Sequence, residues 1–124
     1  MEDVLGYGGK NVVVTGAASG MGEATAQILV DLGAQVTALD IKPTTVPVAR
    51  AMQIDLRDRA SIEEVAASID GPVDGLFSCA GLPGPPFSEW DTILVNFVGA
   101  RHLAELLVPK MGEGSAISVI SSSA

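Results

Sequence analysis

A short β-branched segment runs directly into a group of glycines near the start of the chain. Residues 11–15 read Asn-Val-Val-Val-Thr, and Gly16, Gly20 and Gly22 follow at once. From Met21 onward the apolar residues take helical spacing. A bound phosphate needs backbone N–H donors that no Cβ holds away, and the N-terminus of a following helix adds partial positive charge. This order therefore predicts the phosphate-binding turn of a dinucleotide site, with a simple tight turn as the alternative.

Strand-like and helix-like segments alternate along the rest of the 124 residues. Periodicity and turn residues predict five strands, at residues 11–15, 35–39, 51–54, 73–79 and 116–120. They also predict three helices. The first runs from Met21 to a stop at Gly33, and the second begins at the capping box of residues 61–64. The third runs from Ser88 to near Pro109 and has an apolar stripe of Ile93, Leu94, Phe97, Val98 and Leu107. Pro43 and Pro47 mark a loop after the second strand.

Strands that alternate with helices imply parallel pairing, because each helix carries the chain back across a face of the sheet. The predicted fold class is α/β: a doubly wound, Rossmann-like parallel sheet in the order 3-2-1-4-5, truncated after strand five. Residues 1–124 are predicted to form one domain. Ligands of such sheets bind beyond the carboxyl ends of the strands, where the strand order reverses.

Composition excludes several partners. Fifteen acidic residues against seven basic ones give a net charge of −8, which argues against nucleic acid and anionic membranes. No apolar run approaches the roughly 18 residues of a membrane span. Cys79 is the only cysteine, which fits a reducing compartment, and the acidic start Met1-Glu2-Asp3 does not look like a signal peptide. We therefore expect a cytoplasmic protein.

Asp40 closes the second predicted strand, 18 residues beyond Gly22. A carboxylate there can accept hydrogen bonds from both hydroxyls of an adenosine ribose. Its charge would repel a 2′-phosphate, so NAD is predicted over NADP, although Lys42 close by weakens the discrimination. The alternative is a solvated aspartate at the end of a strand.

Taken together, these residues resemble the short-chain dehydrogenase/reductase family, in its Thr-Gly-x-x-x-Gly-x-Gly branch, and the resemblance runs along the whole chain. It implies an oxidoreductase that moves hydride between NAD and an alcohol or carbonyl substrate. For the cofactor it implies contacts from the turn residues Gly16, Ala18, Ser19, Gly20, Met21 and Gly22. It also implies cofactor contacts from residues near the adenosine and at the end of strand four: Asp40, Ile41, Asp55, Leu56, Cys79, Ala80 and Gly81.

Two residues match members of the family's catalytic set. Asn96 matches the helix asparagine, and Ser122, in the segment Ile-Ser-Ser-Ser-Ala, matches the catalytic serine. Asn96 can instead satisfy a buried carbonyl on its helix, and Ser122 can instead belong to a solvated tail. Cys79 stands where the family usually has a strand-tying asparagine, and we expect it to be a buried structural thiol. Its Cys-Ala-Gly-Leu segment is similar to bacterial 3α-hydroxysteroid dehydrogenase/carbonyl reductases and coniferyl-alcohol dehydrogenases.

The family's Tyr-x-x-x-Lys pair does not occur in these 124 residues, in which Tyr7 is the only tyrosine. We therefore expect the sequence to be the N-terminal part of a longer NAD-dependent enzyme. The alternatives are a second chain that supplies the rest, or a dinucleotide-binding module without turnover; an epimerase of the extended branch fits the glycine spacing less well. We expect a small-molecule alcohol or carbonyl substrate, no metal, and a homo-oligomer formed through the helix that carries Asn96. The fifth strand and this helix are expected to leave apolar surface uncovered.

Overall fold

The computed structural model describes residues 4–120 and is built on a five-stranded parallel sheet. The strands are β1 (Asn11–Thr15), β2 (Gln35–Asp40), β3 (Arg50–Gln53), β4 (Val73–Ser78) and β5 (Met111–Val119). The helices are α1 (Gly20–Asp31), α2 (Arg59–Ser68), α3 (Glu89–Ile93) and α4 (Ala100–Leu107), with a π-helical turn over Leu94–Gly99 and a 3-10 turn over Val108–Lys110. The strand order is β3-β2-β1-β4-β5, which confirms the predicted fold class and order.

The sheet is covered on both faces at its centre, and β1 is apolar at its three inner positions for that reason. Val12, Val13 and Val14 in β1 are all buried. Because successive side chains of a strand point to opposite faces, they enter two separate cores. Val13 packs into the core that α2 and α4 cover, while Val12 and Val14 pack into the core that α1 covers. Continuous apolar strands of this kind are typical of parallel sheets.

The connection between β2 and β3 is a loop without a helix, over residues 41–49. Parallel neighbours usually need a crossover of about a dozen residues or more, and most crossovers contain a helix. Here Val46 is buried and Val48 partly buried in the same core as Val12 and Val14, so the loop itself covers that part of the sheet. The predicted loop at Pro43 and Pro47 is confirmed.

Helix α2 begins earlier than its sequence pattern predicted. The Asp58 carboxylate caps the helix and accepts a hydrogen bond from the Ala60 N–H at 3.0 Å. The predicted capping box at residues 61–64 is therefore wrong, because Asp58 supplies the cap one turn upstream. The Ser61 hydroxyl instead accepts a hydrogen bond from the Asp55 N–H at 3.0 Å, which holds the segment after β3 against the helix.

The third predicted helix is continuous, but its apolar stripe is divided between two faces. Leu107 is fully buried, whereas Ile93, Phe97 and Val98 are exposed. The π-helical turn changes the angle between successive side chains, so residues before and after it do not share one face. The apolar stripe of the sequence is therefore buried at Leu107 and exposed at Ile93, Phe97 and Val98. The expected uncovered apolar surface is present.

Strand β5 is longer than predicted, beginning at Met111 instead of residue 116, and its pairing with β4 changes register between Val73 and Gly75. It lies at the edge of the sheet, where Ile117 and Val119 are exposed, as expected. Within residues 4–120, the helices are all too short or too polar to cross a membrane.

Candidate cofactor and active site

The glycine turn joins β1 to α1 and packs directly against the end of β4. Gly16 has φ of +71° and Gly20 has φ of +58°, a backbone conformation that side chains with a Cβ rarely adopt. A Cβ on Gly16 would lie 2.7 Å from the Ala80 nitrogen, and one on Gly22 would lie 2.0 Å from the Gly16 oxygen. The turn therefore has room only for backbone at these two positions.

Ser19 is the N-cap residue of α1, yet its side chain makes no capping hydrogen bond. The first N–H groups of an α-helix have no acceptor within the helix. Ser19 and Gly20 are both exposed, so the hydroxyl and these amides are accessible at the end of the glycine turn. Such a set of donors at a helix N-terminus suits an anionic phosphate.

Asp40 lies beside this turn and is bonded to it. Its Oδ2 accepts a hydrogen bond from the Ala18 N–H at 2.9 Å, and its Oδ1 accepts one from the Lys42 N–H at 3.0 Å. Each carboxylate oxygen keeps a second lone pair for a further donor. Asp40 also lines a cavity of about 310 Å³, together with Ile41, Lys42, Pro43, Thr44 and Gln53. The carboxylate is thus held in place while one side remains open to a ligand.

Asp55 and Leu56 follow β3 and contact different neighbours. The Asp55 carboxylate accepts hydrogen bonds from the Arg57 guanidinium at 3.0 and 3.1 Å, and this pairing lowers the pKa of Asp55 against a smaller opposing effect of burial. The Leu56 carbonyl packs against the π-helical turn, where a Cβ on Gly99 would lie 2.0 Å from its oxygen. Arg57 did not stand out in the sequence, although an arginine two residues after an aspartate is a usable signal for such a pair.

The Thr15 hydroxyl joins the ends of β1 and β4. It accepts hydrogen bonds from the N–H groups of Cys79 and Ala80, both at 3.1 Å, and Thr15 itself is buried. Sequence reasoning did not assign Thr15 a role, because its partners lie more than 60 residues away. Cys79 is half-buried, and burial raises the pKa of its thiol while a hydrogen bond with Thr25 acts in the opposite direction.

Asn96 lies in the π-helical turn and binds the loop that follows β4. Its Nδ2 donates to the Leu82 carbonyl at 2.9 Å, and its Oδ1 accepts from the Leu82 N–H at 2.7 Å. A Cβ on Gly81 would lie 3.3 Å from the same oxygen. The alternative in which Asn96 satisfies a carbonyl of its own helix is wrong, because both polar ends of the amide are used by Leu82.

The structure brings most of the sequence-predicted site residues to the carboxyl edge of the sheet. The glycine turn, Asp40 and residues 79–81 meet at the ends of β1, β2 and β4, at the point where the strand order reverses. Asp55 and Leu56 lie one strand further out, after β3. Ser122 lies outside the described residues. Within residues 4–120, the His, Cys, Asp and Glu side chains form no group suited to a metal ion.

The fold and this edge define a doubly wound α/β protein with a glycine turn after β1 and an acidic residue at the end of β2. The family model for short chain dehydrogenase matches residues 10–124. The chain therefore belongs to the short-chain dehydrogenase family.

Its relatives include dehydrogenases of two substrate classes. The chain is 31% identical to a coniferyl-alcohol dehydrogenase of Pseudomonas sp. (strain HR199 / DSM 7063), over 91% of this chain and 44% of that protein. It is 35% identical to a 3-alpha-hydroxysteroid dehydrogenase/carbonyl reductase of Comamonas testosteroni, over 90% of this chain and 43% of that protein. The chain thus spans less than half the length of these two curated relatives.

A similar solved structure is the ligand-free aldohexose dehydrogenase of Thermoplasma acidophilum. It superposes with a TM-score of 0.82 at 25% identity, covering 94% of this chain and 50% of that one.

Proposed function

We propose that this chain is the NAD-binding part of a dehydrogenase that moves hydride between the cofactor and an alcohol or carbonyl substrate. The observation that carries the proposal is the hydrogen bond from the Ala18 N–H to the Asp40 carboxylate at 2.9 Å. It holds an acid at the end of β2, which can accept from ribose hydroxyls, beside the glycine turn, which can bind phosphate. The close backbone packing at Gly16 and Gly22 keeps the turn tight, which supports the same assignment.

Asp40 also supports NAD as the preferred cofactor over NADP. A 2′-phosphate would stand against a carboxylate that is already fixed by two backbone donors and cannot easily turn away. At close range, two like charges near a protein surface repel by several kcal/mol at an effective dielectric constant of about 20. Lys42 donates its backbone N–H to Asp40, and within the described residues its ammonium forms no ion pair with that carboxylate.

In the reaction, the bound nicotinamide supplies or accepts the hydride. Asn96 holds the loop after β4, and Ser122, by its match to the family's serine, orients the substrate oxygen. The family's proton donor, Tyr-x-x-x-Lys, is not among these 124 residues. We therefore assign cofactor binding and orientation to this chain, and turnover to the protein of which it forms a part. The names of the relatives favour an aromatic or steroid alcohol as the substrate class.

A titration tests the cofactor assignment. We expect NADH to enhance its fluorescence on binding and to bind more tightly than NADPH. Asp40→Ala should weaken NADH binding by about tenfold or more, because it removes the ribose acceptor and the partner of Ala18 together. Asp70→Ala, at an exposed aspartate distant from the glycine turn, is the control. Tighter binding of NADPH, with Asp40→Ala leaving NADH affinity unchanged, would contradict the assignment.

The exposed apolar surface near α3 and the π-helical turn supports a homo-oligomer. Ile93, Phe97 and Val98 lie together on the helix that carries Asn96 and are about half exposed. Contiguous apolar surface of this kind commonly marks an interface. Sedimentation should give a mass above that of one chain, and Phe97→Glu should reduce it. A monomer in both cases contradicts the assembly.

We place the protein in the cytoplasm on its acidic charge and single cysteine.

A further inference from the structure

The helix-free crossover between β2 and β3 contacts the phosphate-binding turn through one side chain. The Thr44 hydroxyl donates to the Ala17 carbonyl at 2.9 Å and accepts a hydrogen bond from the Val46 N–H at 3.2 Å. Ala17 is completely buried, so water cannot replace the donor that its carbonyl receives from Thr44. The contact joins residues that are 27 positions apart in the sequence.

This contact completes the restraint of a single peptide group. The peptide bond between Ala17 and Ala18 has its carbonyl held by Thr44 and its N–H held by Asp40 Oδ2. A peptide group is planar and rigid, so hydrogen bonds at both ends determine how the whole plane is turned. Ser19 and Gly20, which follow immediately, then present their donors in a defined direction.

We propose that Thr44 is a positioning residue for the cofactor, which orients the phosphate-binding turn and the carboxylate of Asp40 towards one another. The inference rests on the proposed NAD binding. Without the Thr44 hydroxyl the crossover keeps a second attachment, because the side chain of Val46 is buried in the core. The hydroxyl therefore acts on the turn more than on the loop.

Loss of the Thr44 hydroxyl should weaken binding of the phosphate portion of the cofactor. Without Thr44, the carbonyl of Ala17 is left buried without its donor, and the peptide can relieve this by turning. Turning weakens the hydrogen bond from Ala18 to Asp40 and moves the donors of Ser19. The affinity for ADP should then fall together with the affinity for NADH, since both carry the adenosine diphosphate portion.

The chain offers a matched control at the next position. Thr45 lies in the same loop, is exposed, and its side chain makes no hydrogen bond within the described part of the chain. Thr44→Val and Thr45→Val are thus the same change, one residue apart. Thr44→Ser keeps the hydroxyl without the methyl group. Thr44→Ala removes the hydroxyl without adding a branched side chain, in case Thr44→Val impairs folding, which urea unfolding of each variant would reveal.

The experiment measures dissociation constants for NADH by fluorescence and for ADP by calorimetry. We expect Thr44→Val and Thr44→Ala to raise both constants by about five- to tenfold, as loss of a hydrogen bond at a buried carbonyl implies. Thr44→Ser should stay within about twofold of the unmodified protein, as should Thr45→Val. If Thr44→Val, Thr44→Ala and Thr45→Val have equal dissociation constants, the proposed role of Thr44 is overturned, but the proposed NAD binding is not. A Thr44→Ser variant that binds as weakly as Thr44→Val overturns that role as well. Failure of the unmodified protein to bind NADH or ADP overturns both this inference and the proposed function.

Discussion

The side-chain amide of Asn96 forms two hydrogen bonds with the backbone of Leu82, one from Nδ2 to the carbonyl at 2.9 Å and one to Oδ1 from the N–H at 2.7 Å. This pairing fastens the π-helical turn to the loop that follows β4. A π-helical turn inside an α-helix is frequently found at functional sites. Asn96 thus holds the backbone of the loop that follows β4, next to the carboxyl edge of the sheet.

Asn96→Asp should lower the free energy of unfolding by about 1–3 kcal/mol at neutral pH. The substitution keeps the acceptor for the Leu82 N–H but places a second carboxylate oxygen against the Leu82 carbonyl, where a donor stood. Urea unfolding followed by circular dichroism measures the change. Gln53→Glu is the matched control, since its exposed amide donates only one bond, to Ile41 at 3.2 Å. Similar losses for the two variants would mean that the double bond to Leu82 contributes nothing special.

Gly22→Ala should destabilise the protein by at least about 2 kcal/mol and abolish cofactor binding. The added Cβ would stand 2.0 Å from the Gly16 oxygen, a distance that only movement of the backbone can relieve. Gly112→Ala makes the same change in β5, where nothing lies within 4 Å of the new atom. It should stay within about 0.5 kcal/mol of the parent. Thermal unfolding of both variants, together with NADH titration, provides the comparison.

The ion pair of Asp55 with Arg57 should make a small part of the stability depend on pH. Since the folded-state pKa of Asp55 is lowered from its ordinary value of 3.8, the contribution is complete above that value and disappears as the pH falls through the folded-state pKa. The side chain of Asp55 is 32% exposed and that of Arg57 39%, so we expect less than about 1 kcal/mol. Urea unfolding between neutral pH and about pH 3 should show a shallower decline for Asp55→Asn than for Asp70→Asn. Parallel curves for the two variants would refute the effect.

Cys79 should react slowly with alkylating reagents in the folded protein. Burial raises the pKa of its thiol, and the thiolate is the reactive form. Iodoacetamide at pH 8, followed by mass spectrometry, should modify Cys79 more slowly than free cysteine in the same tube. The difference should vanish in concentrated urea. A folded-state rate that equals or exceeds that of free cysteine would be inconsistent with this environment.

Local patterns were sufficient to predict the strand order, the glycine turn and the position of Asp40. Parallel β-strands buried on both faces need continuous apolar segments, and Val12, Val13 and Val14 form such a segment in the sequence itself. The conformation of Gly16 and Gly20 follows from the same local chemistry, because a positive φ is readily available only to glycine.

Tertiary contacts decided the features that local patterns predicted wrongly or did not reveal. Asp58 and Ser61 are both residue types that cap helices. In the structure Asp58 caps α2, and the Ser61 hydroxyl accepts a hydrogen bond from the Asp55 N–H instead. The π-helical turn, which packs against Leu56 at Gly99, divided an apolar stripe that looked continuous in the sequence.

The sequence by itself therefore determined which elements form and where the glycine turn lies, because periodicity and backbone freedom act over a few residues. The folded chain alone decided how that turn is held. The contacts of Thr44 with Ala17 and of Asn96 with Leu82 join residues that are 27 and 14 positions apart. Such pairs depend on the paths that the loops take back to the sheet, and no local sequence pattern indicates which residues will pair.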